Sequence, residues 1–107
     1  MREDKTCITR YPVQFTWDPK KAASNLKRHN VSFEEACTVF DDPNSVELPD
    51  EENARGELRT DVIGFSAALR LLFVVVFEVE DDELVRIISA RRATPHEAKL
   101  YAEQSNG

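Results

Sequence analysis

The segment Leu84–Arg92, with the sequence LVRIISARR, constrains the fold more than any other part of the chain. Its apolar residues predict a buried strand, and Arg86 lies directly between Val85 and Ile87. A guanidinium group stays charged in proteins, and burying it costs several kcal/mol unless an anion or a hydrogen-bond acceptor meets it. We therefore expect this strand to be both a buried element of a sheet and part of a binding site.

Turn and capping residues predict where the helices begin and end. Asp18 followed by Pro19 favours a helix start, because Asp caps free amides and Pro loses no hydrogen bond at the first helical position. Asn30 is suited to a left-handed stop after that first helix. Capping-box patterns predict two further helix starts, at Ser32–Glu35 and at Thr94–Glu97.

Apolar runs predict the strands between these helices. A short strand is expected at 13–17, and the later strands are expected at 45–48, 58–64, 69–80 and 84–91. Short connections between the later strands favour antiparallel pairing. The order of elements predicts an α+β fold with two N-terminal helices, an antiparallel sheet of about four strands and a C-terminal helix.

The length of 107 residues predicts one domain, over residues 13–104, after a flexible leader over residues 1–12. The longest apolar run, Leu71–Phe77, is far shorter than the roughly 20 residues that span a bilayer. Cys7 and Cys37 lie in unlike surroundings, so no disulfide is expected. These features favour a cytoplasmic protein that does not interact with membranes.

The formal net charge of −6 limits the kind of nucleic acid the chain can bind. Basic residues cluster at 20–28 and 86–92, whereas most acidic residues lie at 41–61 and 78–83. Exposed charges more than about 10 Å apart are screened at physiological salt, so a local cationic cleft is compatible with this balance. The net charge argues only against broad, non-specific binding to duplex DNA.

The motifs of several enzyme classes are missing from the sequence. It contains no Gly-rich phosphate loop, no Gly-x-Ser-x-Gly elbow and no cysteines at metal-binding spacing, so neither a cofactor nor a metal is expected. What remains is a set of cationic and proton-transferring side chains: Lys21, His29, Arg59, Arg86, Arg91, Glu97 and Tyr101. Cleavage of RNA by its own 2′-hydroxyl needs a proton acceptor, a proton donor and positive charge near the phosphate, and these side chains can supply all three.

The roles of these residues follow from their chemistry. Three arginines, Arg59, Arg86 and Arg91, are expected to bind phosphate. Either His29 or Glu97 is expected to accept the 2′-hydroxyl proton, and either Tyr101 or Lys21 to assist the leaving group. Each of these four also has a structural alternative: Glu97 as a capping residue, Tyr101 as a cover for the sheet, His29 as a cation at a helix end, and Lys21 as a solvated charge.

Several separated motifs, in the same order, resemble the BrnT family. They are Phe15–Lys21, Asn25–His29, Val31–Ala36, Val39–Pro43, Gly56-Glu57 with Arg59, Ile63-Gly64, and Arg86–Ala93 followed by Glu97 and Tyr101. The resemblance implies a toxin of a type II toxin–antitoxin system with a RelE-like ribonuclease fold, which cleaves RNA and inhibits translation. The family's recurrent polar residues fall on the same seven positions, whereas Asn30 stands where the family usually has Gly.

The resemblance also implies partners. It implies a BrnA-type antitoxin, a ribbon-helix-helix protein that neutralises the toxin. The antitoxin contacts the operator DNA for both proteins, and the toxin and antitoxin form a dimer or heterotetramer. A second hypothesis is non-enzymatic. In that case the same arginines dock the antitoxin, and the chain acts as a corepressor with little or no nuclease activity. An acidic surface would also steer a basic antitoxin to this protein.

Overall fold

A single sheet organises the computed structural model, which describes residues 6–10, 13–50, 59–79 and 84–105. Within these residues six strands lie in the order β1-β2-β6-β5-β4-β3. The elements are β1 (Thr6–Arg10), β2 (Val13–Trp17), α1 (Pro19–His29), α2 (Phe33–Thr38), a short 3₁₀ helix (Val39–Asp41), β3 (Val46–Asp50), β4 (Arg59–Phe65), β5 (Leu71–Val79), β6 (Leu84–Arg92) and α3 (Pro95–Ser105). The α+β class and the order of helices and strands are as predicted.

The sheet differs from the expected one in two respects. First, β2 pairs with β6 in parallel, so the sheet is mixed although its other pairings are antiparallel. Second, Thr6–Arg10 forms β1 inside the segment expected to be a leader, because the free edge of β2 offers a row of backbone hydrogen-bonding groups. The prediction of about four antiparallel strands rested on the short connections between the later strands. It included neither a strand before residue 13 nor a pairing between β2 and β6.

The helix boundaries follow the capping residues read from the sequence. The Asp18 side chain accepts a hydrogen bond from the Lys20 amide, and α1 is ended by its C-cap residue Asn30, whose φ of 59° is left-handed. The Ser32 hydroxyl accepts from the Glu35 amide at the start of α2. Within the part of the chain that the structure describes, no helix is long and apolar enough to cross a membrane.

The main core lies between one face of the sheet and helices α1 and α2. Trp17 and Phe33 meet edge to face with ring centroids 5.9 Å apart. Fourteen buried residues form the cluster: Phe15, Trp17, Val31, Phe33, Ala36, Cys37, Val39, Val62, Leu72, Val74, Val76, Val85, Ile87 and Ala90. Trp17 is 2% exposed, so it is a core residue.

Helix α1 also closes an edge of the sheet. β2 runs beside β6 only as far as the pair Thr16 and Arg86, and beyond it the edge of β6 faces α1. There the Asn25 side chain donates to the Ala90 carbonyl at 2.7 Å and accepts from the Ala90 amide at 3.2 Å. It also donates to the Val31 carbonyl at 3.0 Å. One amide side chain therefore takes the place of a neighbouring strand.

A β-bulge in β6 determines which side chains share the other face of the sheet, which we call the outer face. Val75 is opposite Ser89 and Val76 is opposite Ile87, so Ile88 is the extra residue. In a regular strand, residues 86 and 91 would point to opposite faces, since side chains alternate with a period of two. The bulge places Arg86 and Arg91 on the same outer face.

Candidate functional site

Two arginines flank a phenylalanine across the outer face. Arg59 of β4 is in register with Phe77 of β5, Phe77 with Arg86 of β6, and Arg86 with Thr16 of β2. We call these four residues the arginine row. Neighbouring strands lie about 4.8 Å apart, so the Cα atoms of Arg59 and Arg86 are separated by about 10 Å. Both arginines and Phe77 are partly buried, and Thr16 is 6% exposed.

The arginine row contains polar atoms whose hydrogen-bonding capacity is unused. Among the described residues, no hydrogen-bond partner meets the buried Nε of Arg59 or the buried Oγ1 of Thr16. Within the same ranges, no carboxylate pairs with the guanidinium of Arg86. A buried donor without a partner costs about 1–3 kcal/mol, and more if it is charged. The arrangement favours binding of an anion with acceptor oxygens.

The third predicted arginine, Arg91, is held by neighbouring side chains. Its guanidinium lies over the Phe73 ring, 4.3 Å from the centroid. Its Nη1 and Nη2 donate to the two carboxylate oxygens of Glu97, each at 2.9 Å. This fork fixes the orientation of Arg91. A phosphate bound here would share Arg91 with Glu97.

Glu97 combines the capping role and the contact with Arg91. Its Oε1 accepts from the Thr94 amide at 2.9 Å, and its own amide donates to the Thr94 hydroxyl at 3.2 Å. Burial alone would raise the pKa of Glu97, but the bonds from Arg91 and Thr94 outweigh it and lower this pKa below 4.5. A carboxylate with both oxygens occupied and a lowered pKa is better suited to positioning Arg91 than to accepting a proton.

Tyr101 is also committed to a contact inside the molecule. Its hydroxyl donates to Asp42 Oδ2 at 2.8 Å, and its ring meets Phe65 edge to face at 5.4 Å. Burial, followed by the bond to Asp42, raises the pKa of Tyr101. Asp42 also accepts from the Phe65 and Asn44 amides, both at 2.9 Å. Tyr101 therefore anchors α3 to the turn before β3.

The two predicted residues of α1 lie together at the edge of the sheet. Lys21 and His29, both exposed, line a depression of about 240 Å³ with Ser89, which lies on the outer face between Arg86 and Arg91. We call it the α1 depression, and its other lining residues are Ser24, Asn25, Arg28 and Ile88. In the described ranges, no three His, Cys, Asp or Glu residues are grouped so that they could hold a metal ion.

A partly buried network, which the sequence does not predict, connects α2 to the β4–β5 turn. Arg70 donates to both carboxylate oxygens of Glu35, through Nε at 2.9 Å and through Nη2. The Ser66 hydroxyl donates to Glu35 at 2.6 Å, and Arg70 also reaches the Asn30 carbonyl at 3.0 Å. Glu35 was expected to complete a capping box. The only signal of this different role in the sequence is a lone charge, Arg70, at the start of an apolar strand.

These carboxylates predict loss of stability in acid. Bonds from Arg70 lower the pKa of Glu35 below 4.5, and those from Phe65, Asn44 and Tyr101 outweigh burial and lower the pKa of Asp42 below 3.8. A group whose pKa is lower in the folded state stabilises the fold above its ordinary pKa, and this contribution is lost as the pH falls through the lowered value. We expect the thermal midpoint to fall as the pH decreases below about 4.5.

Thermal unfolding followed by circular dichroism between pH 7 and pH 3 checks this expectation. Glu97→Gln is a matched variant, because the glutamine amide does not titrate. The contribution of the Glu97 carboxylate to the pH dependence therefore disappears. The curve of Glu97→Gln should therefore be flatter in acid than that of the parent. Equal slopes in the two proteins would show that the Arg91–Glu97 pair contributes nothing to acid sensitivity.

Comparison with known proteins places this arrangement in a family. Residues 17–97 match the family described as the ribonuclease toxin, BrnT, of type II toxin–antitoxin systems. The crystal structure of the Brucella abortus ribonuclease toxin, BrnT, has a similar fold, with a TM-score of 0.57 and 22% sequence identity over 73% of this chain and 92% of that chain. No curated protein matched the sequence. The family match covers most of the chain, and the chain therefore belongs to the BrnT family of type II toxin–antitoxin ribonuclease toxins.

Proposed function

We propose that this chain is an endoribonuclease that cleaves RNA without a metal ion and thereby inhibits translation. The observation that carries the proposal is the pair Arg59 and Arg86, partly buried on one face of the sheet, with no carboxylate paired to either among the described residues. Phosphate oxygens would satisfy these guanidinium groups, and fixed positive charge stabilises the pentavalent phosphate that forms during cleavage.

We assign proton transfer to the α1 depression. His29 is the proton acceptor in this proposal and Lys21 assists the leaving group, because both line the depression that borders Ser89 on the outer face. Glu97 holds Arg91 toward the phosphate, and Tyr101 holds α3 in place. His29 takes the proton from the 2′-hydroxyl, whose oxygen attacks the phosphorus as the bond to the leaving oxygen breaks.

The test is cleavage of single-stranded RNA by purified protein in the presence of EDTA, together with growth of cells that express the chain alone. We expect the parent to cleave RNA and arrest growth. Arg86→Ala should reduce the cleavage rate by about 10- to 100-fold, the equivalent of one or two lost charged hydrogen bonds. Arg92→Ala is the matched control, because Arg92 is exposed, lies on the same strand, and is opposite Leu72, a residue of the core face.

Two outcomes would contradict the proposal. If Arg86→Ala is folded by circular dichroism and is as active as the parent, the arginine row is not the site. If only chelated samples lose activity, the reaction depends on a metal. If Arg92→Ala loses as much activity as Arg86→Ala, the loss reflects a general effect of net charge and not a contact in the arginine row.

The net charge of −6 favours a second candidate function, a non-catalytic corepressor. Membership of a type II family implies an antitoxin partner. We propose a BrnA-type ribbon-helix-helix antitoxin, through which the complex contacts operator DNA in the cytoplasm. A protein that binds this antitoxin tightly but leaves RNA intact over hours would support the corepressor and exclude the nuclease.

A further inference from the structure

Phe77 is an aromatic member of the arginine row that the proposed chemistry does not use. It is partly buried on the outer face, directly between Arg59 and Arg86 in the register of the sheet. No aromatic ring or guanidinium among the described residues stacks on it. Phe73, two positions along the same face, differs because the guanidinium of Arg91 lies over its ring. Within the described ranges, no side-chain stacking therefore competes with a ligand for the Phe77 ring.

The polar atoms beside Phe77 indicate what kind of ligand fits. Thr16 is 6% exposed, yet its Oγ1 has no hydrogen-bond partner within the described ranges, and the same is true of Arg59 Nε at the other end of the row. The Thr16 hydroxyl and the Arg59 Nε, which have no hydrogen-bond partner among the described residues, favour a ligand rich in oxygen acceptors. Phe77 lies between two fixed cations. This arrangement favours a ligand in which a flat ring lies between two anionic groups.

We propose that Phe77 is a stacking platform for one unpaired base of a single-stranded RNA, whose flanking phosphates lie on Arg59 and Arg86. The proposal rests on the ribonuclease function proposed above and adds the form of the substrate. Aromatic side chains bind unstacked bases in single-stranded RNA, and each such contact contributes about 1–3 kcal/mol. Duplex RNA is excluded from this site, because its bases are stacked on one another and their faces cannot reach Phe77.

Binding to an RNA that cannot be cleaved tests the platform separately from the chemistry. The probe is a short, fluorescein-labelled single strand with 2′-O-methyl groups, which lacks the attacking hydroxyl. Binding is measured by anisotropy at one fixed salt concentration, because salt alone changes such affinities. We expect Phe77→Leu to raise the Kd by about tenfold and Phe77→Tyr to leave it within about twofold, since only the tyrosine keeps the ring.

Controls separate stacking from folding. Leu69→Ala removes an apolar side chain that is 81% exposed in the β4–β5 turn, outside the arginine row, and it should leave RNA affinity unchanged. Phe77→Tyr retains the aromatic ring, so normal binding by this variant together with weak binding by a folded Phe77→Leu assigns the loss to the ring. The same oligonucleotide annealed to its complement should bind more weakly than the single strand.

Each result supports or overturns the proposal. If the parent cleaves RNA but Phe77→Leu binds the probe as the parent does, the platform is wrong and the ribonuclease proposal stands. If the parent neither cleaves RNA nor binds the probe, both proposals fail. If Phe77→Leu weakens only antitoxin binding, or if the duplex binds as tightly as the single strand, Phe77 does not select single-stranded RNA.

Discussion

Replacing Asn25 with alanine is expected to reduce the free energy of unfolding by about 3–5 kcal/mol. The side chain is 6% exposed and makes three hydrogen bonds to backbone groups. Alanine leaves the Ala90 amide, the Ala90 carbonyl and the Val31 carbonyl without these bonds. Each buried group that loses its partner costs about 1–3 kcal/mol.

The loss should also affect the proposed site. Asn25 holds α1 against the edge of β6, and Lys21 and His29 lie on the same helix. Any activity that depends on the α1 depression should therefore decrease in Asn25→Ala even under conditions where the variant is folded. Urea unfolding measures the stability, and amide hydrogen exchange at Ala90 measures the local opening of the strand edge.

Two variants make the Asn25 experiment specific. Ser24→Ala is the matched control, because Ser24 is an exposed neighbour on the same helix and its replacement should change stability by less than about 0.5 kcal/mol. Asn25→Asp retains an acceptor for the Ala90 amide but loses both donated bonds and adds a buried charge, so it should be at least as destabilising as alanine. A loss below about 1 kcal/mol in Asn25→Ala would mean that water replaces the amide at this edge.

Local rules in the sequence predicted most of the fold. Asp18, Ser32 and Thr94 each form the helix cap that their type and position favour, and Asn30 adopts the left-handed stop. These features depend on residues within a few positions of one another, which is why the sequence reveals them. Asn25 is different, because its partner at Ala90 lies 65 residues away. Capping rules and apolar periodicity do not distinguish it from a solvated helix residue.

Local patterns in the sequence also indicate part of the candidate site, whereas its contacts between distant residues leave no such pattern. The mid-strand position of Arg86 indicates an unusual burial, and the structure places Arg59 in the same row. Alternation along a regular strand would separate Arg86 from Arg91, and only the bulge at Ile88 brings them to one face. The partners of Glu97 and Tyr101, which favour positioning roles, come from tertiary contacts. A sequence shows the type of each side chain but not which tertiary contacts already use its hydrogen-bonding groups.

Gly64→Ala is expected to destabilise the protein by about 3 kcal/mol, although replacing Gly with Ala in a strand would otherwise stabilise it by about 0.4–1 kcal/mol through the unfolded state. A Cβ at position 64 would lie 2.9 Å from Val39 Cγ1, 3.1 Å from Ser45 Cβ and 3.3 Å from Asp42 Oδ2. Val39 is fully buried and β-branched, so its side chain cannot move away at low cost. The clash therefore outweighs the gain in the unfolded state.

A double-mutant cycle with Val39→Ala tests this mechanism. Val39→Ala removes the methyl group that the new Cβ would meet, so the double variant should lose at least about 1 kcal/mol less than the sum of the two single losses. The 3₁₀ helix is followed directly by Asp42, which holds Tyr101 of α3, so Gly64→Ala should also speed hydrogen exchange in α3. Additive losses, measured by urea unfolding, would mean that the added methyl group does not press on Val39. Unchanged exchange in α3 would mean that the contact between Asp42 and Tyr101 is independent of how closely the 3₁₀ helix packs on β4.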